Sequence, residues 1–254
     1  MTMPNNTIAV LMCSTLIVSV LASVAYTEQS VALTTRSVEA SAIIVKSVEW
    51  KGNASAIIDP SSAIWKSAPS VRLLLNLTPR IVVTDKLKTS MPPVADVRCA
   101  RASDGTVVHL MWKDPTKDQP NVRRPSPADE GGRVRVIHTD KTNRFYDAAA
   151  VMFPVNRNPI ANPSIQMGDK ANPVELYYWN AVRGATLMTA SGRATTLRTS
   201  KKFQSMAVYT NGGWQVTFVL PKLPNRTPLA FGIWDGSKNQ RGGLKYYSLW
   251  HSLR

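Results

Sequence analysis

The chain has 254 residues, of which 44% are hydrophobic, and it carries a formal net charge of +15 at pH 7. This length and apolar content are sufficient for a globular core, and they exclude an intrinsically disordered chain. The excess of basic residues predicts an acidic or anionic partner. Charge alone does not distinguish nucleic acid, an anionic surface and an acidic protein.

The N-terminus has the pattern of a secretory signal. Residues 8–25 form an uncharged apolar stretch that ends in Ala-Ser-Val-Ala, small residues of the kind found at a signal cleavage site. We expect cleavage after Ala25. An uncleaved membrane anchor is the alternative, because residues 1–7 contain no Lys or Arg. No later stretch is long and apolar enough to span a bilayer. The predicted organisation is a signal peptide over 1–25, a lead-in over 26–56 and one domain over 57–254.

Cysteine usage limits how a cofactor could be held. Cleavage would remove Cys13 and leave Cys99 alone, which excludes an internal disulfide, a cysteine-rich metal site and haem attachment through Cys-x-x-Cys-His. Cys99 lies in an apolar run and is predicted to be a small buried side chain rather than a reactive thiol.

Common catalytic motifs are absent from the sequence, including Gly-x-Ser-x-Gly, the Walker loop, Gly-x-Gly-x-x-Gly and His-x-x-x-His. His109 is predicted on the strand face opposite Val108 and Leu110, as a satisfied or half-exposed side chain rather than a metal ligand. We therefore predict no catalytic residue and do not expect an enzyme that acts alone.

Short strand-like segments recur along the chain with little helical periodicity, which predicts an all-β sandwich or barrel. Asp114–Arg135 is rich in Pro, Asp, Gly and Arg, including Arg123, Arg124 and Arg133, and is predicted to be a long exposed loop. The predicted strands are 71–77, 81–84, 94–101, 106–112, 148–153, 174–181, 206–210, 214–220 and 229–234.

The C-terminal region is the most informative part of the sequence. An apolar run over 231–234 is broken by a polar, glycine-containing turn and resumes over 242–250 with Lys245 among aromatic residues. This pattern predicts a hairpin with one lysine facing a sheltered surface.

Three segments in this order resemble the haem b (gamma) subunits of periplasmic molybdoenzymes, such as ethylbenzene dehydrogenase, dimethylsulfide dehydrogenase, and their selenate-, chlorate- and nitrite-converting relatives. The resemblance covers about 57–253. It rests on Ala-Val-Met-Phe-Pro at 150–154, on Met167-Gly168 leading to Pro-Val and Tyr-Tyr-Trp-Asn-Ala at 177–181, and on Trp-Asp-Gly at 234–236 leading to Gly-Leu-Lys-Tyr-Tyr-Ser.

The resemblance implies a β-sandwich of antiparallel strands, with a few short helices in loops, that holds one non-covalent haem b. Carried over, the axial ligands are the thioether of Met167 and the amine of Lys245, with Met152 as the alternative thioether. A thioether favours ferrous iron, and an apolar pocket favours the neutral amine that can bind a metal. Arg183, Arg193 and Arg241 are candidate partners for the haem propionates, and Trp179 is a candidate pocket residue.

The function implied by the family is electron transfer in the periplasm. A molybdenum-containing alpha subunit and an iron–sulfur beta subunit would be partners, with a soluble cytochrome as the electron partner. The alternative is a secreted carbohydrate- or ligand-binding sandwich without haem, which would use Tyr177, Tyr178 and Trp179 as an exposed stacking platform. A nucleic-acid binder is the least favoured class, because clustered basic residues with interleaved aromatics are lacking and a secretory signal is predicted.

Overall fold

The computed structural model describes residues 43–78, 93–119 and 145–254. The predicted signal peptide, the predicted strand 81–84, His138 and the loop residues from 120 onward lie outside the described residues. In these ranges the chain forms short strands with few helices. The strands are β1 (Ile44–Val45), β2 (Ser47–Glu49), β3 (Val71–Leu74), β4 (Asn76–Leu77), β5 (Val94–Arg101), β6 (Thr106–Lys113), β7 (Ala148–Pro154), β8 (Val174–Asn180), β9 (Gly184–Ala190), β10 (Leu197–Arg198), β11 (Ser205–Tyr209), β12 (Gly213–Leu220), β13 (Pro228–Trp234), β14 (Tyr246–Tyr247) and β15 (His251–Leu253).

These strands form two sheets that pack face to face. The nine-stranded sheet has the order β1-β15-β13-β7-β8-β9-β10, and β14 joins β13 to β4 at its side. The six-stranded sheet has the order β11-β12-β6-β5-β2, with β3 also paired to β5. Buried side chains from both sheets form one shared core. The predicted all-β sandwich is therefore confirmed.

Helices are short and lie in connections. The helix α1 (Ile64–Ser67) and two 3₁₀ turns, Ala54–Ile57 and Gly236–Lys238, are the helical elements of the described ranges. None of them has the length and apolar content of a membrane span.

The sandwich begins earlier in the chain than predicted. β1 pairs in parallel with β15 in one sheet, and β2 pairs in parallel with β5 in the other. Both strands fall inside the predicted lead-in 26–56, and residues 41–254 form one compact unit. Residue 57 is therefore not the start of the domain, because the backbone of the lead-in already supplies hydrogen bonds to both sheets.

β7 lies at the centre of the nine-stranded sheet, and all seven of its residues are buried. Ala149, Val151 and Phe153 point into the core between the sheets. Their neighbours Ala150 and Met152 point to the opposite, outer face. The second sheet covers one face of β7, so other chain segments must cover its outer face. The chain segments that cover the outer face of β7 build the site described below.

The two side chains weighed as structural residues are both buried. Cys99 is fully buried, as predicted, and burial raises the pKa of its thiol to about 12. His109 lies on the face of β6 opposite Val108 and Leu110, as predicted, and its ring stacks on Trp65 with 5.0 Å between ring centroids. Burial lowers the pKa of His109 to about 4.

Candidate functional site

A cavity lies on the outer face of the nine-stranded sheet, above the paired strands β7 and β13. Its floor consists of the small residues Ala150, Ala230 and Gly232, and Gly232 lies directly opposite Ala150 in the antiparallel register. Small side chains leave space where longer ones would fill the face. The space above this floor measures about 310 Å³ with its open mouth and the adjoining solvent included. The remaining lining residues are Met152, Ile165, Met167, Leu176, Phe231, Trp234, Lys245, Tyr247 and Ser248.

Lys245 lies in the wall of this cavity. β14, which starts at the next residue, pairs with β13 so that Tyr247 is opposite Gly232. This pairing confirms the predicted C-terminal hairpin and lays the lysine chain across the floor. The Lys245 Nζ lies 5.5 Å from the centroid of the Trp234 ring.

The electrostatic setting of Lys245 is unusual for a lysine. Among the described lining residues it carries the only charge, and no described carboxylate forms an ion pair with it. Burial, and secondarily the charge of Arg193, lowers the pKa of the Lys245 amine. A lysine that is desolvated without a counter-charge is shifted toward its neutral form, which has a free lone pair.

Two thioethers line the same cavity. Met152 is buried and projects outward from β7. Met167 lies in the loop before β8 and adopts a left-handed backbone conformation, with φ of 79°. Its carbonyl accepts a hydrogen bond of 2.9 Å from the Gly192 N–H. The structure thus brings Met152 and Met167 together with Lys245, which is distant from both in the sequence.

The three arginines predicted near the haem propionates take different positions. Arg193 directly follows Gly192, the residue bonded to Met167, and its charge acts on the Lys245 amine. Arg183 lies in the turn after β8, where its charge interacts electrostatically with the Tyr178 hydroxyl. Arg241 stacks on Phe145, with 4.5 Å from its Cζ to the ring centroid. None of the three arginines is among the residues that line the cavity. Arg193 is the one whose charge acts on a lining residue, the Lys245 amine.

The aromatic predictions were wrong in their orientation. Trp179 points into the core between the sheets, where its ring meets Trp214 at 4.9 Å, and it does not line the cavity. Tyr177 is also buried in this core. Tyr178 faces outward, but its ring packs edge-on against Trp234. The exposed stacking platform expected for a carbohydrate-binding sandwich is therefore not formed by these three residues.

Sequence reasoning missed the floor and one wall of the cavity. Ala230, Gly232 and Trp234 alternate along β13 and share its outer face. The signal was the period-two spacing of two small residues and one tryptophan, directly before the Asp-Gly turn. From the sequence alone, the same spacing predicts only an apolar strand.

The chain was compared with family models, with curated proteins and with solved structures. A family model described as ethylbenzene dehydrogenase matches residues 62–210, more than half of the chain. The chain is 31% identical over 208 residues to a putative respiratory nitrate reductase heme subunit of Haloferax mediterranei, covering 76% of this chain and 66% of that protein. It therefore spans about two thirds of that relative.

Two further relatives are gamma subunits. The chain is 29% identical to the chlorate reductase subunit gamma of Ideonella dechloratans, over 77% of this chain and 78% of that one. It is 27% identical to the dimethylsulfide dehydrogenase subunit gamma of Rhodovulum sulfidophilum, over 75% and 72%.

Among solved structures, the fold is similar to a carbohydrate binding module family 9 from Caldicellulosiruptor kristjanssonii in complex with glucose. That match has a TM-score of 0.44 and 11% identity, and it covers 83% of this chain and 94% of that one. This likeness is too distant to indicate a ligand. The family match over residues 62–210 does decide the relationship: the chain belongs to the ethylbenzene dehydrogenase family, as its motifs predicted.

Proposed function

We propose that this chain is an electron-transfer subunit that binds one non-covalent haem b in the cavity on the outer face of the nine-stranded sheet. The observation that carries this proposal is the meeting of two thioethers and one uncompensated lysine in a single, otherwise apolar cavity. A relative named as a heme subunit supports the choice of cofactor.

The donor set fits a haem iron, because a neutral amine and a thioether can both bind it. In this proposal Lys245 would bind through its neutral amine, whose lone pair is made available by desolvation. A methionine thioether would be the second protein ligand and would raise the reduction potential. The bound haem would supply a one-electron couple, and two protein ligands would leave no position on the iron for oxygen or substrate. We therefore propose a role without catalysis by this chain itself.

Met167 is the better candidate for the thioether ligand. A non-glycine residue in the left-handed region is uncommon, and such strain is often found at functional sites. The hydrogen bond from the Gly192 N–H to the Met167 carbonyl helps to hold this backbone conformation. Met152 extends from a regular strand and remains the alternative. Arg193 is proposed to pair with a propionate at the mouth, because its charge already acts on the cavity.

The partners follow from the relatives, which are named as subunits of reductase and dehydrogenase complexes. We propose that a molybdenum-containing alpha subunit and an iron–sulfur beta subunit exchange electrons with this haem, and that a soluble cytochrome is the other electron partner. We further propose that the signal sequence exports the chain to the periplasm.

Absorption spectra of the oxidised and reduced protein, expressed with haem supply, test the proposal. The wild type is expected to show low-spin haem b with a stoichiometry of one. Lys245→Ala and Met167→Ala are each expected to give a high-spin spectrum or loss of haem. Met152→Ala is expected to keep the low-spin spectrum.

Two controls separate ligation from general loss of structure. Met188→Ala removes a methionine that packs near the cavity without lining it, and Lys222→Ala removes an exposed lysine. Both are expected to keep the wild-type spectrum. A folded wild-type protein that takes up no haem would overturn the proposal, and a low-spin spectrum in Met167→Ala but not in Met152→Ala would transfer the ligand role to Met152.

A further inference from the structure

Four aspartates converge in a place that the proposed electron-transfer role does not use. Asp114, Asp118, Asp147 and Asp235 each contribute a carboxylate oxygen to a group whose members all lie within 4.8 Å of one another. None of the four is more than 6% exposed, and none lines the cavity. Buried like charges at this spacing are unfavourable unless a cation or protons compensate them.

The described residues compensate this aspartate cluster only in part. Lys238 lies 2.6 Å from Asp235 and is the one described cation that forms an ion pair within the cluster. The Gly236 and Ser237 N–H groups donate to Asp147 and Asp118 at 3.0 and 2.9 Å. Four carboxylates and one ammonium leave a formal charge of −4 + 1 = −3.

A single oxygen shows what is missing. Asp114 is 2% exposed, and its Oδ1 accepts from Thr116, but its Oδ2 has no hydrogen-bond partner among the described residues. The charges of Asp235 and Asp118 act on this carboxyl, so it belongs to the interior of the cluster. A buried carboxylate oxygen without any donor is rare, because no hydrogen bond then offsets the free-energy cost of its desolvation. The missing partner must be positive or a strong donor.

We propose that the aspartate cluster binds a divalent cation, with Ca²⁺ as the best match. The ligand set consists only of oxygens, which excludes the softer metals that prefer nitrogen or sulfur. Calcium–oxygen distances of about 2.3–2.6 Å place opposite ligands about 5 Å apart, so carboxylate oxygens that lie within 4.8 Å of one another can share one such ion. Magnesium is the poorer match, because it demands near-ideal octahedral geometry and gives up its water ligands reluctantly.

The ion would fasten the two sheets together at one end. Asp114 and Asp118 follow β6 of the six-stranded sheet, whereas Asp147 precedes β7 and Asp235 follows β13 of the nine-stranded sheet. Trp214 of β12 also donates to Asp147, at 2.9 Å. A cation bound here would thus join the two sheets, which no strand pairing of the described residues connects.

Thermal unfolding of the full chain tests the proposal. After dialysis against EDTA, addition of 1 mM CaCl₂ is expected to raise the Tm by about 5 °C or more, as expected for a ligand present at about 100 times its Kd. Equal concentrations of MgCl₂ are expected to have a smaller effect. Isothermal titration with CaCl₂ is expected to give one site. No binding in the titration together with no Tm shift would overturn the proposal.

The variant Asp114→Asn is expected to change the Tm, relative to the wild type, in opposite directions in EDTA and in CaCl₂. In EDTA it is expected to have a higher Tm than the wild type, because it removes a repelling charge and its amide can donate to a neighbouring carboxylate. In CaCl₂ it is expected to have a lower Tm than the wild type, because a ligand is lost. Asp96→Asn, outside the cluster, is expected to keep the full calcium shift. A full shift in Asp114→Asn would contradict the proposal.

Terbium provides a readout that does not depend on stability. Tb³⁺ occupies calcium sites, and Trp214, hydrogen-bonded to Asp147, is close enough to sensitise its luminescence. We expect luminescence on tryptophan excitation, displacement by Ca²⁺ and loss of most of the signal in Trp214→Phe. Luminescence that Ca²⁺ does not displace, or that Trp214→Phe leaves unchanged, would place the ion elsewhere and overturn the assignment.

Discussion

Gly232 lies directly beneath the side chain of Lys245. A Cβ built on Gly232 would lie 3.4 Å from the Lys245 Cδ and 3.3 Å from the Trp234 ring. The glycine therefore sets how deeply the lysine chain reaches into the cavity. A side chain at this point would crowd the Trp234 ring and touch the alkyl chain of the lysine.

The variant Gly232→Ala tests this relationship. The added methyl group is expected to lift Lys245 and Trp234 by a few tenths of an ångström and to weaken haem retention roughly tenfold, about 1.4 kcal/mol. Spectral titration of the apoprotein with haemin measures the loss. Gly243→Ala is the control, because no atom lies within 4 Å of its built Cβ. Equal haem retention in both variants would contradict the role given to Gly232.

Met167→His is expected to lower the reduction potential of the haem on the order of 0.1 V, because imidazole replaces a thioether that favours ferrous iron. Histidine tolerates the left-handed backbone at residue 167 better than most side chains. Spectroelectrochemical titration measures the potential. Met152→His is the comparison and is expected to leave it within a few hundredths of a volt; a larger fall in that variant would identify Met152 as the ligand.

The variant Trp179→Ala tests whether Trp179 belongs to the core between the sheets or to the haem cavity. Because Trp179 is buried between the sheets, its removal is expected to lower the free energy of unfolding by about 3–5 kcal/mol. The haem spectrum of the remaining folded protein is expected to be unchanged. Trp234→Ala, which alters a cavity wall, is expected to change the spectrum. Chemical denaturation and absorption spectra of both variants check the pair, and a spectral change in Trp179→Ala would argue against the observed orientation.

His109 is expected to make the fold sensitive to acid. Burial lowers its pKa to about 4 from the ordinary value of about 6.5 for histidine, so between these values the unfolded chain binds a proton that the folded chain does not. Below pH 6.5 the fold therefore loses stability as the pH falls, and the loss is complete near pH 4. The loss amounts to about 3 kcal/mol. The difference in unfolding free energy between wild type and His109→Leu, measured from pH 7.5 to 4, isolates this contribution. A difference independent of pH would contradict it.

The net charge of +15 would favour docking of the proposed cytochrome if its surface is acidic. Association with this proposed partner is expected to slow at least tenfold between about 20 and 200 mM salt, because exposed charges are screened over shorter distances. Stopped-flow reduction kinetics measure the rate. A rate independent of salt would mean that the basic surface does not guide docking.

Much of the fold was predictable, because segments with strong strand periodicity can be recognised from the sequence alone. The predicted limits of β5 agree with the structure, and those of β6, β7 and β13 differ by one residue at an end. β9 was missed because its small and polar residues have no clear alternation, and it forms through its register with β8. β1 pairs in parallel with β15, and β2 pairs in parallel with β5. Both pairings depend on distant segments, which local sequence patterns do not reveal.

The site was predictable only where one residue stands out chemically. Lys245 is a single charge in an aromatic run, so its sheltered position followed from the sequence. Trp179 was misplaced because one step along a strand reverses the face, and pairing with β7 decides that face. The aspartate cluster joins three separated segments, and Arg193 approaches the cavity through the Gly192–Met167 hydrogen bond. Such convergence is a property of the folded chain.

β7 is paired with β13 and β8 on its two edges and buried on both of its faces. Its amide protons are expected to exchange with solvent only through global unfolding, because no local opening reaches them. β7, which contributes Ala150 to the cavity floor, is thus expected to be among the most slowly exchanging parts of the molecule. Any adjustment on taking up or releasing a ligand must come from the loops around Met167 and Lys245, while the floor keeps its shape.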